Sequence, residues 1–248
     1  MARRAAVQRP SAAHLVPLAP EPDALAPHEI LSSEGGNDSA TVDEWGRDAR
    51  FVRAVSPVAW LRWDVSVGGA EHIRRGGGLI VINTRRYALA PIFAALALSD
   101  ALHRPVRFVG RPDIVPFGPA LRRAGGLLAQ PAEIAGAIRA GQLVILGAAG
   151  TSDARQAGTV DPALIAPAIQ EHVHVYTAAT LSSMVGRQAR VEVCSAMRIP
   201  TARRGPLAEV ELAEQIQHRL QVALDELGPM SRGLSLPGLG PISSGRAR

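Results

Sequence analysis

The sequence predicts an α/β sandwich: a single domain with a mostly parallel central sheet flanked by helices. Short apolar runs at residues 79–82 and 143–146 lack apolar–polar alternation, which is typical of strands covered on both faces. These runs alternate along the chain with longer segments of helical character, and that order favours a parallel sheet. A chain of 248 residues, 47% of them hydrophobic, is long enough to bury one core.

Both ends of the chain differ from its middle. Residues 1–43 are rich in alanine and proline and lack periodicity, so we predict a disordered tail. Residues 229–248 are rich in glycine, serine and proline and are predicted to form a second tail. The segment 44–228 between them is the predicted folded domain.

The predicted elements alternate through this domain. Asp43 is expected to cap a first helix over residues 42–55, which Pro57 ends or kinks. The long closing helix is expected to end at Gly228 in the C′ position. The other predicted strands are 60–67, 76–83, 106–110, 142–147, 173–180 and 187–199, and the helices are 91–103, 116–125, 132–141, 162–172 and 206–227.

Composition narrows the class of protein. All 27 basic side chains are arginine, and the formal net charge of +5 gives a mild attraction to acidic surfaces. The single cysteine, Cys194, lies in an apolar strand-like segment and is predicted to be a buried thiol, which fits a cytoplasmic location. No apolar run is long enough to cross a bilayer.

Nucleotide and metal sites are not predicted. The glycines at 76–78 precede a strand instead of following one, and the loop at 147–158 lacks the lysine of a phosphate-binding loop. His172 and His174 are expected to share one strand face, but no third ligand stands at a recognisable spacing. No metal and no cofactor is expected.

Arginines cluster where predicted strands end. Arg85 and Arg86 follow one strand, Arg111 follows the next, and Arg122 and Arg123 come shortly after. The carboxyl ends of parallel strands border the ligand crevice of an open α/β sheet. Guanidinium groups there would suit a phosphate or a carboxylate, although a solvated basic face is the simpler interpretation.

The order of short motifs resembles the glycerolipid (1-acylglycerol-3-phosphate-type) acyltransferase superfamily. Its opening "V-x-G-x-E-x-I-P" is similar to WDVSVGGAEHI at 63–73, and its N-H-x4-D motif corresponds to residues 83–89. Its second region, "FVAKxELxxxPxxGxxLRxxG", resembles VRFVGRPDIVPFGPALRRAGG at 106–126. Its F-P-E-G-T-R-S motif corresponds to GAAGTSD at 147–153, and a strand like "VPVVPVAI" to VHVYTAAT at 173–180.

The resemblance covers residues 45–227, but the motif residues that carry the family's chemistry are replaced. In the family, a histidine accepts the proton of the acceptor hydroxyl and an aspartate holds that histidine; these positions are Thr84 and Leu89 here. The glutamate and arginine of the third motif become Ala149 and Ser152. The arginine that closes the second motif is missing, since that position is Gln130.

The resemblance implies a set of substrate-binding positions: Arg85, Arg86, Arg111, Gly150 and Thr151. No confident catalytic residue is assigned, and Thr84 and Leu89 are vestigial positions. The implied partners are acyl-CoA or acyl carrier protein and an anionic lipid, with peripheral contact on the inner face of the membrane.

Three hypotheses remain open. The first is a non-catalytic homologue that binds a lipid or an acyl group, or that regulates a partner. The second is an active O-acyltransferase for a lysophospholipid-type acceptor, with a base relocated to His72 or His174. The third is a basic α/β domain that binds a polyanion, but a nucleic acid is not expected because aromatic residues are only 4% of the chain.

Overall fold

The computed structural model describes residues 42–85, 89–110, 113, 115–183, 186–199 and 205–228. Within them, seven strands form one sheet in the order β1-β7-β6-β2-β5-β3-β4. The strands are β1 (Asp64–Gly68), β2 (Gly78–Ile82), β3 (Val106–Gly110), β4 (Gly126–Leu128), β5 (Leu143–Gly147), β6 (His174–Ser182) and β7 (Gln188–Val193). The helices are α1 (Ala49–Arg62), α2 (Ala90–Leu102), α3 (Gly118–Arg123), α4 (Pro131–Arg139), α5 (Pro162–Gln170) and α6 (Pro206–Glu226).

The sheet is mostly parallel. Strands β6, β2, β5, β3 and β4 run in one direction, while β7 pairs with β6 in antiparallel fashion and β1 follows β7. The predicted α/β class with flanking helices is therefore confirmed. Because β2 and β5 are adjacent and parallel, the segments that follow them leave the same edge of the sheet.

The central strands are buried on both faces. Leu79 and Val81 of β2 pack in one apolar layer with α4, α5 and α6, whereas Ile80 and Ile82 pack in the other with α2. All five residues of β2 are buried, which explains why its sequence shows no alternation. Each such aliphatic side chain stabilises the fold by about 1.5–3 kcal/mol relative to exposure.

Helix α1 differs from its prediction at both ends. Asp48, not Asp43, is the N-cap, and its side chain accepts hydrogen bonds from the backbone N–H groups of Arg50 and Phe51. The helix also runs through Pro57 to Arg62, so β1 begins at Asp64. Proline has no backbone N–H, so Pro57 leaves the Arg53 carbonyl without its helical hydrogen-bond partner. Pro57 is exposed, so water can bond to that carbonyl.

Two arginines expected near the crevice fasten helices together instead. Arg123 forms an ion pair with Asp48 at 2.6 Å, and this hydrogen bond, with the backbone N–H of Phe51, lowers the pKa of the Asp48 carboxyl. Arg122 forms an ion pair with Glu133 at the start of α4. Both guanidinium groups therefore already have carboxylate partners within the fold.

A buried arginine and a short strand escaped prediction. Arg107 in β3 is fully buried, pairs with Asp43, and donates from Nε to Gln142 at 3.3 Å. Burial lowers the pKa of this guanidinium, and Asp43 opposes that effect. Strand β4 has only three residues, too few for periodicity to reveal it.

The histidine pair is not a strand pair. His172 lies in a turn with φ 52°, and only His174 belongs to β6, so the expectation of a shared strand face is wrong. The described residues contain no group of three or more potential metal ligands among His, Cys, Asp and Glu.

Cys194 is half-buried against the core and so less enclosed than predicted. None of the helices in the described part of the chain is long and apolar enough to span a membrane.

Candidate binding site

The chain segments that follow β2 and β5 continue side by side beyond the sheet. Ile82 and Gly147 end the paired strands, and the Ala148 N–H donates to the Ile82 carbonyl at 2.8 Å. The Thr151 N–H then donates to the Thr84 carbonyl at 3.1 Å, and Arg85 and Thr151 form an isolated parallel bridge. The backbone thus brings four of the predicted positions together: Thr84, Arg85, Gly150 and Thr151.

The Thr84 side chain is held in place by the β5 segment. Its hydroxyl donates a hydrogen bond of 2.6 Å to the Ala148 carbonyl. Its methyl group packs over Gly147, where an added Cβ would lie 2.6 Å from Thr84 Cγ2 and 3.3 Å from Pro91 Cγ. The hydroxyl therefore already donates its proton within the fold, and a threonine hydroxyl cannot accept a proton as a base near neutral pH.

Asn83 ties this corner to β6. Its amide Nδ2 donates to the carbonyls of Thr180 and Ala154 at 2.9 and 3.1 Å. Its Oδ1 accepts the backbone N–H of Thr180 at 2.6 Å, and the Thr180 hydroxyl donates to the Asn83 carbonyl at 2.9 Å. Asn83 is buried, so its amide is part of the scaffold and does not face a ligand.

The predicted binding positions differ in accessibility. Arg85 and Thr151 are half-buried, and Gly150 is exposed. The Thr151 hydroxyl donates to the Asp153 carbonyl within the same loop, and Arg85 already takes part in an interaction. Arg86 and Arg111 lie outside the described residues. The assignment of these residues to substrate binding stays a prediction.

Leu89 occupies the N-cap position of α2 and provides no side-chain cap. Its exposed fraction is 51%, an unusual environment for a leucine. A leucine side chain can neither accept a hydrogen bond nor orient a base. The corner formed by Thr84 and Leu89 therefore offers no acid–base pair.

An open cleft of about 650 Å³ lies next to this corner, between the loop that follows β5 and helix α6. Its loop side includes Gly150, Thr151 and Gln156. Its helix side is formed by residues spaced one turn apart: Glu214, Gln217, His218 and Gln221. The cleft was not predicted from the sequence, although the spacing of these four residues is that of one helical face.

Gln221 joins the two sides of the cleft. Its Oε1 accepts the Ala157 N–H at 3.2 Å, and its Nε2 donates to the Arg155 carbonyl at 3.0 Å. Among the histidines in the described ranges, His218 is the one that lines this cleft. Glu214 lies one helical turn earlier on the same face.

The two histidines considered as relocated bases lie far from the corner. His174 pairs with Gly78 at the start of β2, and six extended residues separate that level from Thr84 by about 20 Å. His72 Nδ1 lies 3.0 Å from the Val193 carbonyl, in a 3-10 turn whose residues Ala70 and Glu71 lie near the end of α2. Val193 lies in β7, two strands or about 10 Å away from β2, so His72 does not contact Thr84.

The sheet order, the flanking helices and the paired loops at the carboxyl ends of β2 and β5 define an open, mostly parallel α/β sandwich. Among solved structures, the chain is similar to the crystal structure of the 1-acyl-sn-glycerophosphate (LPA) acyltransferase PlsC from Thermotoga maritima. The TM-score is 0.53 and the identity 16%, over 72% of this chain and 79% of that one. At this identity the likeness concerns the fold. No family profile and no curated protein matches the sequence.

Proposed function

We propose that this protein keeps the acyltransferase fold without the acyl-transfer reaction, and that it binds an anionic lipid or an acyl group. The observation that carries the proposal is the Thr84 side chain. Its hydroxyl donates to the Ala148 carbonyl and its methyl group packs on Gly147, at the position where the resemblance calls for a general base. Leu89 stands where the orienting carboxylate belongs.

The loss of a base has a large effect on this kind of reaction. General-base catalysis contributes a factor of about 10² to 10⁴ in rate, and a histidine–carboxylate pair acts as a unit. His174 lies at the opposite end of β2, and the His72 ring contacts the carbonyl of Val193 in β7, two strands away from β2. These placements favour binding over catalysis.

In this proposal, the anionic group of the ligand binds to the two loops that follow the carboxyl ends of β2 and β5. Arg85 supplies a positive charge there, and the exposed backbone of Gly150 allows close approach. The proposed ligands are a lysophosphatidate-type lipid and the acyl group of acyl-CoA or acyl carrier protein. The proposed location is the cytoplasmic side of a membrane surface.

An active enzyme is the second candidate, and one observation favours it. His218 and Glu214 line the cleft beside Gly150 and Thr151, one helical turn apart on α6. An imidazole in that cleft would be a candidate base in place of Thr84. This candidate predicts turnover that depends on His218.

A binding measurement tests the proposed site. Hexanoyl-lysophosphatidate, used as a water-soluble monomer, is expected to bind the full chain in calorimetry, and Arg85→Ala is expected to weaken binding at least tenfold. The reason is the loss of a charge-assisted contact to the phosphate. Arg75→Ala is the matched control, because Arg75 is an exposed arginine at the opposite end of β2. Equal losses in both variants, or no binding by the unmodified chain, would contradict the proposed site.

A further inference from the structure

A groove of about 420 Å³ lies between α2 and β1, the edge strand of the sheet. Val65 and Val67 of β1 line it, and these two valines pack against the same apolar layer as α2. On the helix side it is lined by Ala97 and Ala101, which are one helical turn apart and so share a face of α2. Their methyl groups are too short to fill the space beside the edge strand, and the groove results.

Two tryptophans also line the groove. Trp60 and Trp63 stand at the end of α1 and are half-buried. The Trp63 ring lies 5.7 Å from the Phe93 ring, centroid to centroid, and the Arg62 guanidinium lies 5.5 Å from the Trp63 centroid. Within the described part of the chain, no ring or guanidinium stacks on Trp60. The Trp60 indole is therefore left for a ligand.

Two carboxylates line the groove without a partner inside the protein. Asp64 and Asp100 are exposed, and across the described ranges neither carboxyl group takes part in a hydrogen bond or an ion pair. Arg187 lines the same groove, but its guanidinium donates to the Trp60 carbonyl at 2.8 Å instead. Two aspartates and one arginine give the lining a formal charge of −1, although the whole chain carries +5. The groove therefore attracts cations.

The backbone at the tryptophan end of the groove is held in place before any ligand arrives. Arg62 donates to the Gly186 carbonyl at 3.2 Å, which ties the end of α1 to the segment before β7. The Trp63 N–H donates to the Ala59 carbonyl at 2.8 Å, and the Asp64 N–H donates to the carbonyl of residue 187 at 2.7 Å. A preformed site lowers the entropic cost of binding.

We infer that this groove binds an organic cation, in which an ammonium or guanidinium group is attached to a short apolar body. The cation lies against the Trp60 indole, since aromatic faces attract such groups. Asp64 and Asp100 supply the opposing charge. The apolar body packs on the alanines and valines that line the groove. Its two carboxylates make the groove unsuitable for a phosphate.

This inference goes beyond the proposed function and does not depend on it. Strand β1 lies three strands from β2, or about 14 Å across the sheet, so the groove is separate from the loops near Arg85. A protein that binds hexanoyl-lysophosphatidate but no organic cation would refute only the groove. The reverse result would refute only the proposed anion site.

A nuclear magnetic resonance titration of the isotope-labelled full chain tests the inference. Choline is expected to shift the indole N–H signals of Trp60 and Trp63 and to leave that of Trp45, which packs over Gly136 of α4, unchanged. Dimethylbutanol, the neutral isostere of choline, should bind about tenfold more weakly, because it has the same shape without the charge. Equal affinities for the two compounds would overturn the inference.

Three soluble probes identify the source of the cation. Choline presents a free ammonium group, agmatine a guanidinium group, and glycerophosphocholine the ammonium of a lipid head group. The probe that binds most tightly indicates the natural class, and a response of Trp60 to any of them supports the inference. If none of the three shifts the Trp60 signal, the inference is wrong.

Charge removal tests the two carboxylates. Asp64→Asn and Asp100→Asn keep the side-chain shape, and each is expected to weaken binding of the best probe about fivefold. Glu226→Gln is the matched control, since Glu226 is an exposed carboxylate of α6 that does not line the groove. It should change the affinity less than twofold. Equal losses in Asp100→Asn and Glu226→Gln would reveal a general effect of net charge and would contradict the site.

A groove-filling variant tests the location without changing any charge. Ala101 is exposed on α2, and leucine is a good helix former, so Ala101→Leu should fold normally. Its larger side chain would occupy the space beside β1, and we expect at least a tenfold loss of affinity for the best probe. Unaltered affinity in Ala101→Leu, with the spectrum of the folded protein retained, would place the cation outside the groove and overturn the inference.

Discussion

Asn83→Ala is expected to lower the free energy of unfolding by about 3 kcal/mol, because it leaves buried polar groups without partners. The Thr180 N–H and the carbonyls of Thr180 and Ala154 all bond to the Asn83 side chain. Asn83 is only 2% exposed, so water cannot replace these contacts without rearrangement. The change also removes the anchor of the segment that carries Thr84 and Arg85.

Urea denaturation measures this effect, with an unchanged m-value as the sign that the unfolding reaction is the same. Thr180→Val is the matched control, since it removes one hydroxyl of the same network and keeps the backbone N–H that Asn83 binds. We expect a loss of about 1 kcal/mol for the control. A loss below about 1 kcal/mol for Asn83→Ala would mean that the network does not hold the end of β2.

Gly147→Ala is expected to cost about 2 kcal/mol through overpacking. An added methyl group would lie 2.6 Å from Thr84 Cγ2, so the threonine would have to move. Thr84→Ser removes that methyl group and keeps the hydroxyl that donates to Ala148. The double variant should therefore be more stable than the sum of the two single changes predicts.

A double-mutant cycle measured by denaturation gives the coupling between these two positions, and we expect at least about 1 kcal/mol. Thr84→Ser alone should cost less than Gly147→Ala alone. Purely additive effects would show that the Thr84 side chain is not packed as described. That result would also remove the main structural support for the proposal that Thr84 and Leu89 supply no general base.

The buried centre of the fold could be predicted because its signal is local. The strands at β2 and β5 are continuous apolar runs, and their alternation with helices is enough to indicate a parallel sheet. The boundary between α1 and β1 was wrong because Pro57 is a strong local signal, while the contacts that carry the helix past it are tertiary. Those contacts include the hydrogen bonds of Arg62 to the Gly186 carbonyl and of Arg187 to the Trp60 carbonyl, which join residues 124 and 127 positions apart in the chain.

The arginines show the limit of reasoning from strand ends. Arg85 does lie where two parallel loops meet, because its position follows directly from the end of β2. Arg122 and Arg123 were expected to lie near the same crevice, but they pair with Glu133 and Asp48. A local sequence pattern does not predict which carboxylate an arginine will pair with, because the partner is set by tertiary structure.

The cleft between α6 and the loop after β5 depends on long-range packing as well. Glu214 and His218 have the spacing of one helical face, yet the sequence does not show what that face opposes. Its other side is formed by Gly150 and Thr151, more than 60 residues earlier in the chain. Only the folded structure brings His218 next to the loop at 147–153, which corresponds to the F-P-E-G-T-R-S motif.

The central claim is that the acyltransferase fold is present here without acyl transfer, and product formation tests it most directly. Purified full-length protein is incubated with lysophosphatidate and either acyl-CoA or acyl carrier protein carrying a fatty acyl group, with His218→Ala in parallel. We predict no diacylated product above the protein-free rate for either protein. Clear turnover by the unmodified chain would contradict the claim, and its loss in His218→Ala would identify the relocated base.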